Sequence, residues 1–460
     1  MSRPFHSLIG RLAVLALSLL AMPLAAAQNF SDVRPSPQQV AWQELEFGVI
    51  VHFNPNTWLD QEWGDGTASA SVFDPDQVDP GQWARAAKAA GAKYLILVAK
   101  HHDGFALWPT AQSEYSVKNS PWLGGKGDLV RMTSEAVRKE GMGFGIYLSP
   151  WDRHEPRYAD AEAYDEFYTA QLVELALHYG PITEWWLDGA GSAGHVYDFD
   201  KYIEELRTYQ PNAMVFADTA LFEYGDIRWV GNEDGFIVGE NWNVIDRHGY
   251  LRWRPVEVDT PLHHQQWFWH PDSDQTLKSL DELVEIWEKS VGLGGQLVLG
   301  IAPDTRGLLP EADVQRLREL GEAIQALYGP ASNLVPGNLK DAGAGAAATD
   351  GDRDTFWSAP DGSHHATLEL NFKQPVTFDS ALSMEWINAG QRVQKYAVEA
   401  WQDGRWVRLA QAQAIGRMKI DRFAPVTASR VRLNILSSSD PVHIREFQLF
   451  NTGKGAADAR

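Results

Sequence analysis

Polar side chains follow a series of short apolar runs in this 460-residue sequence, each at the point where the run ends. The clearest case is YLILVAKHHDGF, in which residues 94–99 have strand character and lead through a lysine into His101, His102 and Asp103. Other polar or aromatic residues at the ends of such runs are His52, Tyr147, Trp186, Asp188, Arg228 and Glu233. Imidazoles, carboxylates, a phenol and indoles offer hydrogen bonds to hydroxyl groups and flat faces to apolar surfaces. Gathered in one pocket, they would suit recognition of a sugar.

The simplest alternative is that each histidine is a core residue whose ring bonds a backbone carbonyl, and for one isolated histidine we prefer that interpretation. It does not explain why polar groups recur after four separate apolar runs. A fold that brings the ends of those runs together would explain the recurrence.

The elements that would position these residues alternate between strand and helix. We interpret as strands residues 47–53, 94–99, 143–150, 183–189, 213–218, 227–232, 233–241 and 296–302. Helical patterns lie near residues 81–90, 129–140, 161–180, 199–209, 277–291 and 311–327. Repeated strand-then-helix units over about 300 residues predict the α/β class and a (β/α)8 TIM-like barrel. The carboxyl ends of barrel strands face one common pocket, so the polar residues that follow the strands should converge there.

The pattern changes after about residue 338. The remaining sequence lacks helical periodicity and alternates in short runs such as ATLELNF, YAVEAWQ and SRVRLNIL, which is typical of an antiparallel β-sandwich. We therefore predict a catalytic barrel over 28–330, a linker over 331–338, a β-sandwich over 339–453 and a tail over 454–460.

The first residues have the pattern of a secretory signal. Arg3 and Arg11 are followed by the apolar run LAVLALSLLAMPL and by small residues, which predicts a signal peptide over 1–27 with cleavage near Ala27. We expect the mature protein to be secreted or periplasmic.

Composition limits the classes of partner. A formal net charge of −21 argues against nucleic acid and anionic membranes, and the absence of cysteine excludes disulfides. The 19 tryptophans fit either large cores or carbohydrate binding, and composition does not separate these two explanations.

Several motifs resemble glycoside hydrolase family 29, the α-L-fucosidases. They are VHFNPNTW, EWG, AKHHDGFALWPT, GIYLSPWDRH, EWWLDG and IRWVGNEDG, which occur in the family's order, and the resemblance covers about residues 35–330. The WVGNE box resembles the subgroup that prefers α-1,3- or α-1,4-linked fucose. In the last third of the chain, TDGDRDTFWSA and HIREFQLFN are similar to discoidin-like sandwiches of carbohydrate-binding module family 32.

The resemblance implies a role for each matching residue. Asp188 would be the nucleophile and Glu233 the general acid/base, with Glu240 as the nearest rival of Glu233. The implied substrate-binding residues are His52, Glu62, Trp63, His101, His102, Tyr147, Trp186 and Arg228. Retaining hydrolysis needs one ionised carboxylate and one protonated carboxyl group about 5 to 5.5 Å apart. The implied activity is exported, retaining removal of terminal fucose, α-1,3/1,4-linked, from an oligosaccharide or a glycoprotein glycan.

Two rival functions stay open at this stage: a catalytically weak carbohydrate-binding barrel, and a retaining hydrolase of another sugar. We expect no catalytic metal or other cofactor, because the histidines lack a His-x-His or His-Glu-x-x-His spacing. A structural calcium ion in the sandwich is a further possibility at DGDRD, residues 350–354, where hard oxygen ligands cluster in a turn.

The sequence departs from the family pattern in two places. Gly294 and Gly300 stand where the family commonly has asparagine, and HHQQ precedes WFWHP where related enzymes often carry Arg-Pro-Gly. Both departures put the contacts to the leaving group, and therefore the linkage preference, in question.

Overall fold

The computed structural model describes residues 30–189, 192, 194–217, 225–247, 250–341 and 343–456. The predicted signal peptide therefore lies outside the described residues. The strands are β1 (Phe47–Val51), β2 (Tyr94–Lys100), β3 (Gly143–Leu148), β4 (Glu184–Leu187), β5 (Met214–Ala217), β6 (Ile227–Trp229), β7 (Val244–Arg247), β8 (Tyr250–Trp253), β9 (Val256–Pro261), β10 (Gln296–Ile301), β11 (Trp357–Ser358), β12 (Ala366–Glu385), β13 (Val393–Gln402), β14 (Arg405–Ala412), β15 (Lys419–Ser438) and β16 (His443–Phe450).

The α-helices are α1 (Pro37–Gln43), α2 (Asn56–Leu59), α3 (Pro80–Ala90), α4 (Leu129–Lys139), α5 (Ala161–His178), α6 (Phe199–Tyr209), α7 (Leu280–Lys289) and α8 (Glu311–Tyr328). Many of them begin where the sequence supplies an oxygen for an otherwise unpaired backbone N–H. Such capping side chains, each accepting from the residue three positions on, are Ser36, Asp79, Asp128, Asp160, Asp198 and Ser279. Within the described residues, no helix combines the length and the apolar character needed to cross a bilayer.

Eight parallel strands close into a barrel in the order β1-β10-β9-β6-β5-β4-β3-β2. The predicted (β/α)8 barrel is confirmed. Strands β7 and β8 form a separate antiparallel hairpin between the sixth and seventh barrel strands.

The seventh barrel strand differs from the prediction. Residues 233–241 are not a strand, because Gly235 and Gly239 have φ angles of +80° and +79° that break extended structure. The barrel is completed instead by β9, whose sequence VEVDTP places two carboxyl groups between apolar residues. A buried strand with two acidic residues does not have the apolar signature used to recognise parallel strands.

Alternating strand residues fill the barrel interior. Tyr94, Ile96, Trp186, Phe216 and Val298 belong to one buried cluster that also includes Trp42 of α1, at the amino-terminal end of the barrel. On β4 the side chains of Glu184 and Trp186 share this inward face, and Asp188 follows at the carboxyl end. The sequence of β4 thus runs from the bottom of the barrel to the pocket.

The C-terminal domain is an antiparallel sheet with strand order β11-β16-β12-β15-β13-β14. The 20-residue strands β12 and β15 carry register shifts, which bend them around a core of their own. This confirms the predicted sandwich. Leu382, Met384, Met418 and Phe450 of this domain share a continuous core cluster with the barrel helices, so the two domains pack through apolar contacts.

Candidate active site

One pocket lies at the carboxyl ends of the barrel strands and gathers nine of the ten predicted site residues. Its lining consists of Ile50, His52, Glu62, Trp63, His101, His102, Tyr147, Trp186, Asp188, Phe216, Trp229, Glu233, Asp259 and Trp267. The absent member of the predicted set is Arg228. Five residues of the lining were not predicted as site residues, and three of them, Trp229, Asp259 and Trp267, carry polar groups.

His101 and His102 both reach this pocket although they are adjacent in sequence. Strand β2 ends at Lys100, with a register irregularity against β3 after Val98, and Gly104 follows at φ +86°. The chain therefore bends at the two histidines instead of continuing the strict alternation of a strand.

Asp188 follows β4 and is held by Tyr147, whose hydroxyl donates a 2.9 Å hydrogen bond to Oδ2. The Nε2 atom of His102 lies 3.5 Å from the same oxygen. Burial lowers the pKa of His102 to about 3, so its ring is neutral. A hydrogen bond from a phenol favours the ionised form of a carboxyl group, so this contact suits Asp188 to attack an electrophile as a carboxylate.

The tautomer of His102 follows from its other nitrogen. The Ser149 hydroxyl donates to the Trp151 carbonyl (2.7 Å), and its oxygen lies 2.7 Å from His102 Nδ1. Because that hydroxyl proton is already used, Nδ1 must carry the ring proton and donate to Ser149. Nε2 then has a lone pair, which lies 3.4 Å from the Tyr147 hydroxyl and can accept a hydrogen bond from it or from a sugar hydroxyl in the pocket.

His52 and His101 are buried in the pocket wall, and burial lowers the pKa of both well below its usual value. Their rings lie 5.8 Å apart, and the ring of His101 stacks on Tyr147 at 5.9 Å. Within the described part of the chain, the Nδ1 atoms of both histidines lack a hydrogen-bond partner. Both neutral rings line the pocket, where an imidazole can bond a polar ligand.

Glu233 is exposed on the loop that follows β6 and accepts a 3.2 Å hydrogen bond from the Trp267 indole. Its rival Glu240 accepts backbone hydrogen bonds from Gln413 and Ala414 of the C-terminal domain, at 3.0 and 3.2 Å. Glu240 is therefore committed to the contact between domains and is absent from the pocket lining. The geometry favours Glu233 as the second carboxyl group of the site.

Asp259 is a further carboxyl group in the pocket besides Glu62, Asp188 and Glu233, and it was missed in the sequence because β9 was not recognised. It is buried and accepts a 2.5 Å hydrogen bond from the Trp229 indole. Burial, together with the negative charges of Glu233 and Asp188, raises the pKa of Asp259 to about 8. At neutral pH this carboxyl group is mostly protonated and can donate a hydrogen bond.

Glu62 lines the pocket while holding the loop that follows β9. Its carboxylate accepts the backbone N–H groups of Trp267 (3.0 Å) and Phe268 (3.3 Å) and lies 2.6 Å from His270 Nε2. Burial would lower the pKa of His270, but Glu62 and Asp60 raise it and favour the charged ring. Glu62 thereby fixes Trp267, the indole that donates to Glu233.

Trp63 forms the rim of the pocket. Its side chain is 52% exposed and packs edge-to-face against His102 at 5.5 Å and Trp151 at 5.3 Å between ring centroids. A large indole left open to solvent at a pocket mouth offers a flat surface for a second sugar unit.

Arg228 is a correction to the predicted site. Its neighbours Ile227 and Trp229 face the barrel interior, so alternation along β6 turns the Arg228 side chain the other way. The guanidinium donates to the Asn241 side chain (3.1 Å) and to the Trp242 carbonyl (3.2 Å), and it is not part of the pocket lining.

The structure explains the two departures from the family pattern. A side chain at Gly300 would come within 2.6 Å of the Trp267 ring, so glycine leaves space for this indole. Gly294 has φ +76° and lies against the Met418 backbone of the C-terminal domain, away from the pocket lining. In HHQQ, His263 lies 3.0 Å from the buried carboxylate of Asp313, and Gln266 accepts from Thr276 within its own loop. This segment therefore shapes the loop that carries Trp267.

No group of three or more potential metal ligands occurs among the residues that the structure describes. In the turn at 350–354, Asp350 accepts from Thr355 and from the Asp352 backbone, and Asp352 accepts from the Asp354 backbone. Calcium binding at this turn stays a prediction.

Comparison with known proteins agrees with this geometry. The alpha-L-fucosidase family model matches residues 24–327, and the F5/8 type C domain model matches residues 331–447. Alpha-L-fucosidase 1 of Arabidopsis thaliana is 34% identical over 432 residues, which cover 86% of this chain and 83% of the plant protein. This chain belongs to the α-L-fucosidases of glycoside hydrolase family 29.

More distant relatives extend the comparison. Tissue alpha-L-fucosidase of Rattus norvegicus is 27% identical over 347 residues, covering 64% of this chain and 69% of the rat protein. A Ruminococcus gnavus GH29 fucosidase solved in complex with fucose matches with a TM-score of 0.83 at 28% identity, covering 93% of this chain and 96% of that chain. The pocket described above is therefore the candidate active site of an α-L-fucosidase.

Proposed function

We propose that this fucosidase works by double displacement with retention, using Asp188 as nucleophile and Glu233 as general acid/base. The observation that carries the proposal is that both carboxyl groups line one pocket, with Asp188 held by the Tyr147 hydroxyl at 2.9 Å. Asp188 follows a barrel strand, so it is rigidly held, and Glu233 is on a loop near the pocket mouth, where a leaving group departs.

In the first step, Asp188 attacks the anomeric carbon while the protonated Glu233 gives its proton to the departing glycosidic oxygen. The product is a fucosyl ester of Asp188 with inverted configuration. In the second step, the ionised Glu233 takes a proton from water, and the water oxygen replaces the Asp188 oxygen with a second inversion. The released fucose keeps the α configuration of the substrate, and both carboxyl groups return to their initial states.

The remaining pocket residues suit a 6-deoxy sugar. The rings of His52, His101 and His102 line the pocket, where imidazole nitrogens can bond sugar hydroxyls. Ile50 and Phe216 are buried and supply apolar lining that a methyl group can contact without leaving a polar atom unpaired. This combination supports fucose over a sugar that carries a hydroxyl at the same carbon.

We propose α-1,3/1,4-linked fucose on a branched glycan as the substrate. The support is the resemblance of the WVGNE box to that subgroup and the exposed indole of Trp63 at the rim, which can contact the branching sugar. Binding energy from that sugar would orient the scissile bond, so truncated substrates should lose kcat as well as affinity. We also propose export to the periplasm or the medium, on the basis of the signal-like residues 1–27.

The linkage proposal is tested by comparing kcat/KM on a Lewis-type trisaccharide, 2′-fucosyllactose, an aryl α-L-fucoside and an aryl α-L-galactoside. We expect the Lewis trisaccharide to be the best substrate and the galactoside the worst. A tenfold or greater advantage of the aryl fucoside or of the α-1,2-linked trisaccharide would refute the linkage, although the fucosidase activity could stand.

The role of Glu233 is tested by Glu233→Ala with added azide. This variant should retain more activity on activated aryl fucosides than on natural glycans, because good leaving groups need no proton. Azide should then intercept the ester of Asp188 and release α-fucosyl azide. Asp188→Gly with azide should instead give the β-azide, since azide attacks the substrate directly. The same anomer from both variants would contradict the assigned roles.

A further inference from the structure

Two glutamates face each other inside the barrel, beneath the floor of the active site. Glu184 of β4 and Glu257 of β9 are both fully buried. Each accepts an indole hydrogen bond: Glu184 from Trp42 at 2.7 Å and Glu257 from Trp186 at 2.6 Å. Within the described residues, no hydrogen bond of standard geometry reaches the other oxygen of either carboxyl group, although the buried Tyr94 hydroxyl interacts with Glu184.

The two carboxyl groups can form a hydrogen bond with each other only if the pair keeps a proton. The carboxyl groups lie within hydrogen-bonding reach of each other, and ionised carboxylates can only accept. The groups that act most strongly on them are Trp42, Tyr94, Trp186 and Asp259, which include no lysine or arginine. Burial raises the pKa of both, for Glu184 to about 7. The pair is therefore an acid hydrogen-bonded to its neighbour rather than two charges.

Stability alone does not account for this pair. Buried ionisable groups are costly, and apolar side chains of similar size usually stabilise a core at least as well. The same barrel interior uses Ile96, Met214 and Val298 at other positions. The two indoles that the pair binds, those of Trp42 and Trp186, indicate a role beyond packing.

The pair is connected to the nucleophile through two aromatic rings. The Trp186 indole donates its N–H to Glu257, and this bond orients the ring. The ring stacks on Phe216, with centroids 4.0 Å apart and an interplanar angle of 4°, and on Tyr147, at 5.3 Å and 16°. Tyr147 in turn donates the 2.9 Å hydrogen bond to Asp188. The bond to Glu257 fixes which edge of the indole points into the barrel, and the stack passes that orientation to the phenol.

We propose that Glu184 and Glu257 are positioning residues: through the Trp186 indole they hold Tyr147, and thereby set the direction in which Asp188 meets the anomeric carbon. The inference rests on the proposed role of Asp188. Neither glutamate touches the substrate, and Glu257 acts through Trp186 alone.

The test compares Glu257→Leu with Glu257→Gln, each made in the wild-type enzyme and on the W186F background. Glutamine keeps an oxygen for the indole and replaces the shared proton by an amide N–H, whereas leucine removes both. We expect Glu257→Leu to lower kcat on an aryl fucoside about tenfold or more with KM within about threefold, and Glu257→Gln to stay within about threefold of wild type. On the W186F background, Glu257→Leu should add less than about a twofold loss.

Equal losses from Glu257→Leu on both backgrounds would overturn the proposal, because the effect would not pass through Trp186. A Glu257→Gln variant as impaired as Glu257→Leu would also overturn it. Trp186→Phe keeps a ring between Tyr147 and Phe216 but removes the N–H, so it should lower kcat about tenfold by itself. Unchanged kcat in Trp186→Phe is contrary evidence even if Glu257→Leu does not fold.

Near-ultraviolet circular dichroism separates this inference from the proposed function. The difference between the spectra of wild type and W186F reports the fixed indole of Trp186. The corresponding difference, measured with and without W186F, should disappear on the Glu257→Leu background and persist on the Glu257→Gln background. Persistence in folded Glu257→Leu would overturn the positioning role. If Asp188 is not the nucleophile, an Asp188→Asn variant should retain activity, whatever the circular dichroism of the Glu257 variants shows.

Discussion

Buried carboxyl groups have opposite surroundings in two regions of the molecule, the pocket end of the barrel and the contact between the barrel and the C-terminal domain. At the domain contact, burial would raise the pKa of Glu46, but Arg417 and Arg353 lower it to about 2. Glu288 likewise accepts a 2.9 Å bond from Arg422. In the pocket, burial and neighbouring carboxylates raise the pKa of Asp259 to about 8, and no cation is among its strongest influences.

The two regions also differ in how their charged groups are paired, although buried nitrogens without a partner among the described residues occur in both, including Nε and Nη1 of Arg417. His52 and His101 leave buried Nδ1 atoms without partners among the described residues, whereas the carboxylates of the domain contact face arginines. Charges that are paired within the protein stabilise it, and polar side chains that line a pocket are available to a ligand. We therefore expect changes in the pocket to affect turnover with little effect on stability, and changes at the domain contact to do the reverse.

The largest effect should come from Asp188→Asn in the pocket. We expect kcat to fall about 10,000-fold or more, because no other group can form the covalent intermediate in line with the leaving oxygen. The melting temperature should stay close to that of wild type, and fucose should still bind by calorimetry. Activity within about tenfold of wild type, in a preparation shown by mass spectrometry to carry the substitution, would exclude Asp188 as nucleophile.

At the domain contact, Arg417→Met should cost about 3 kcal/mol in the free energy of unfolding, because it removes one partner of a buried ion pair. Arg417 is 2% exposed and bonds Glu46, which directly precedes β1 at the end of the barrel opposite the pocket. We expect kcat to stay within about twofold of wild type. The matched control is Arg318→Met in an exposed pair with Glu322, which should cost less than about 1 kcal/mol in urea unfolding. Equal costs for the two variants would contradict the contrast.

The pH dependence of stability should report Glu46 separately. Its pKa is about 2 in the folded protein and near 4.5 when unfolded, so its contribution is present above about pH 4.5 and is lost as the pH falls toward 2. We expect Glu46→Gln to be less stable than wild type by about 3 kcal/mol at pH 6 and by progressively less below pH 4.5. Urea unfolding of both proteins across this range measures it. A difference that stays constant down to pH 2.5 would mean that Glu46 is not held by its arginines.

The smallest effect concerns Gly300, which lies beneath Trp267. A Cβ atom there would come within 2.6 Å of the indole, and Trp267 donates to Glu233. Gly300→Ala should lower kcat/KM about tenfold by displacing the acid/base residue. Gly81→Ala, where only flexible side-chain atoms of Arg85 and Asp79 are near, is the control and should have no effect on turnover. If both variants match wild type, Trp267 does not position Glu233.

Much of this fold could be predicted from the sequence, because most barrel strands are apolar and the polar residues stand just after them. His52, His101, Tyr147 and Asp188 reach one pocket for that reason. Strand β9 could not be predicted in this way, since two of its residues are buried carboxyl groups. Asp259 of the pocket and Glu257 beneath it were therefore missed together.

Arg228 shows a different limit of prediction from the sequence. The residue was assigned to the pocket because it stands near a strand end, but a one-residue step along β6 decides which side it faces. Likewise, the partners of Glu62 and Glu240 depend on a loop and a domain that are distant in sequence. The sequence therefore identified some of the carboxyl groups of the pocket, and only the tertiary contacts show which of the predicted ones also hold a loop or a domain in place.

Trapping the covalent intermediate tests the central claim most directly. A 2-deoxy-2-fluoro-fucosyl fluoride has a good leaving group but slows the second displacement, so the enzyme should accumulate one fucosyl adduct per chain. Proteolysis and mass spectrometry should then locate the fluorofucosyl ester on Asp188, in the WWLDG segment. A label on Glu233 or Asp259, or turnover of the unmodified substrate with inversion and no adduct, would contradict the account.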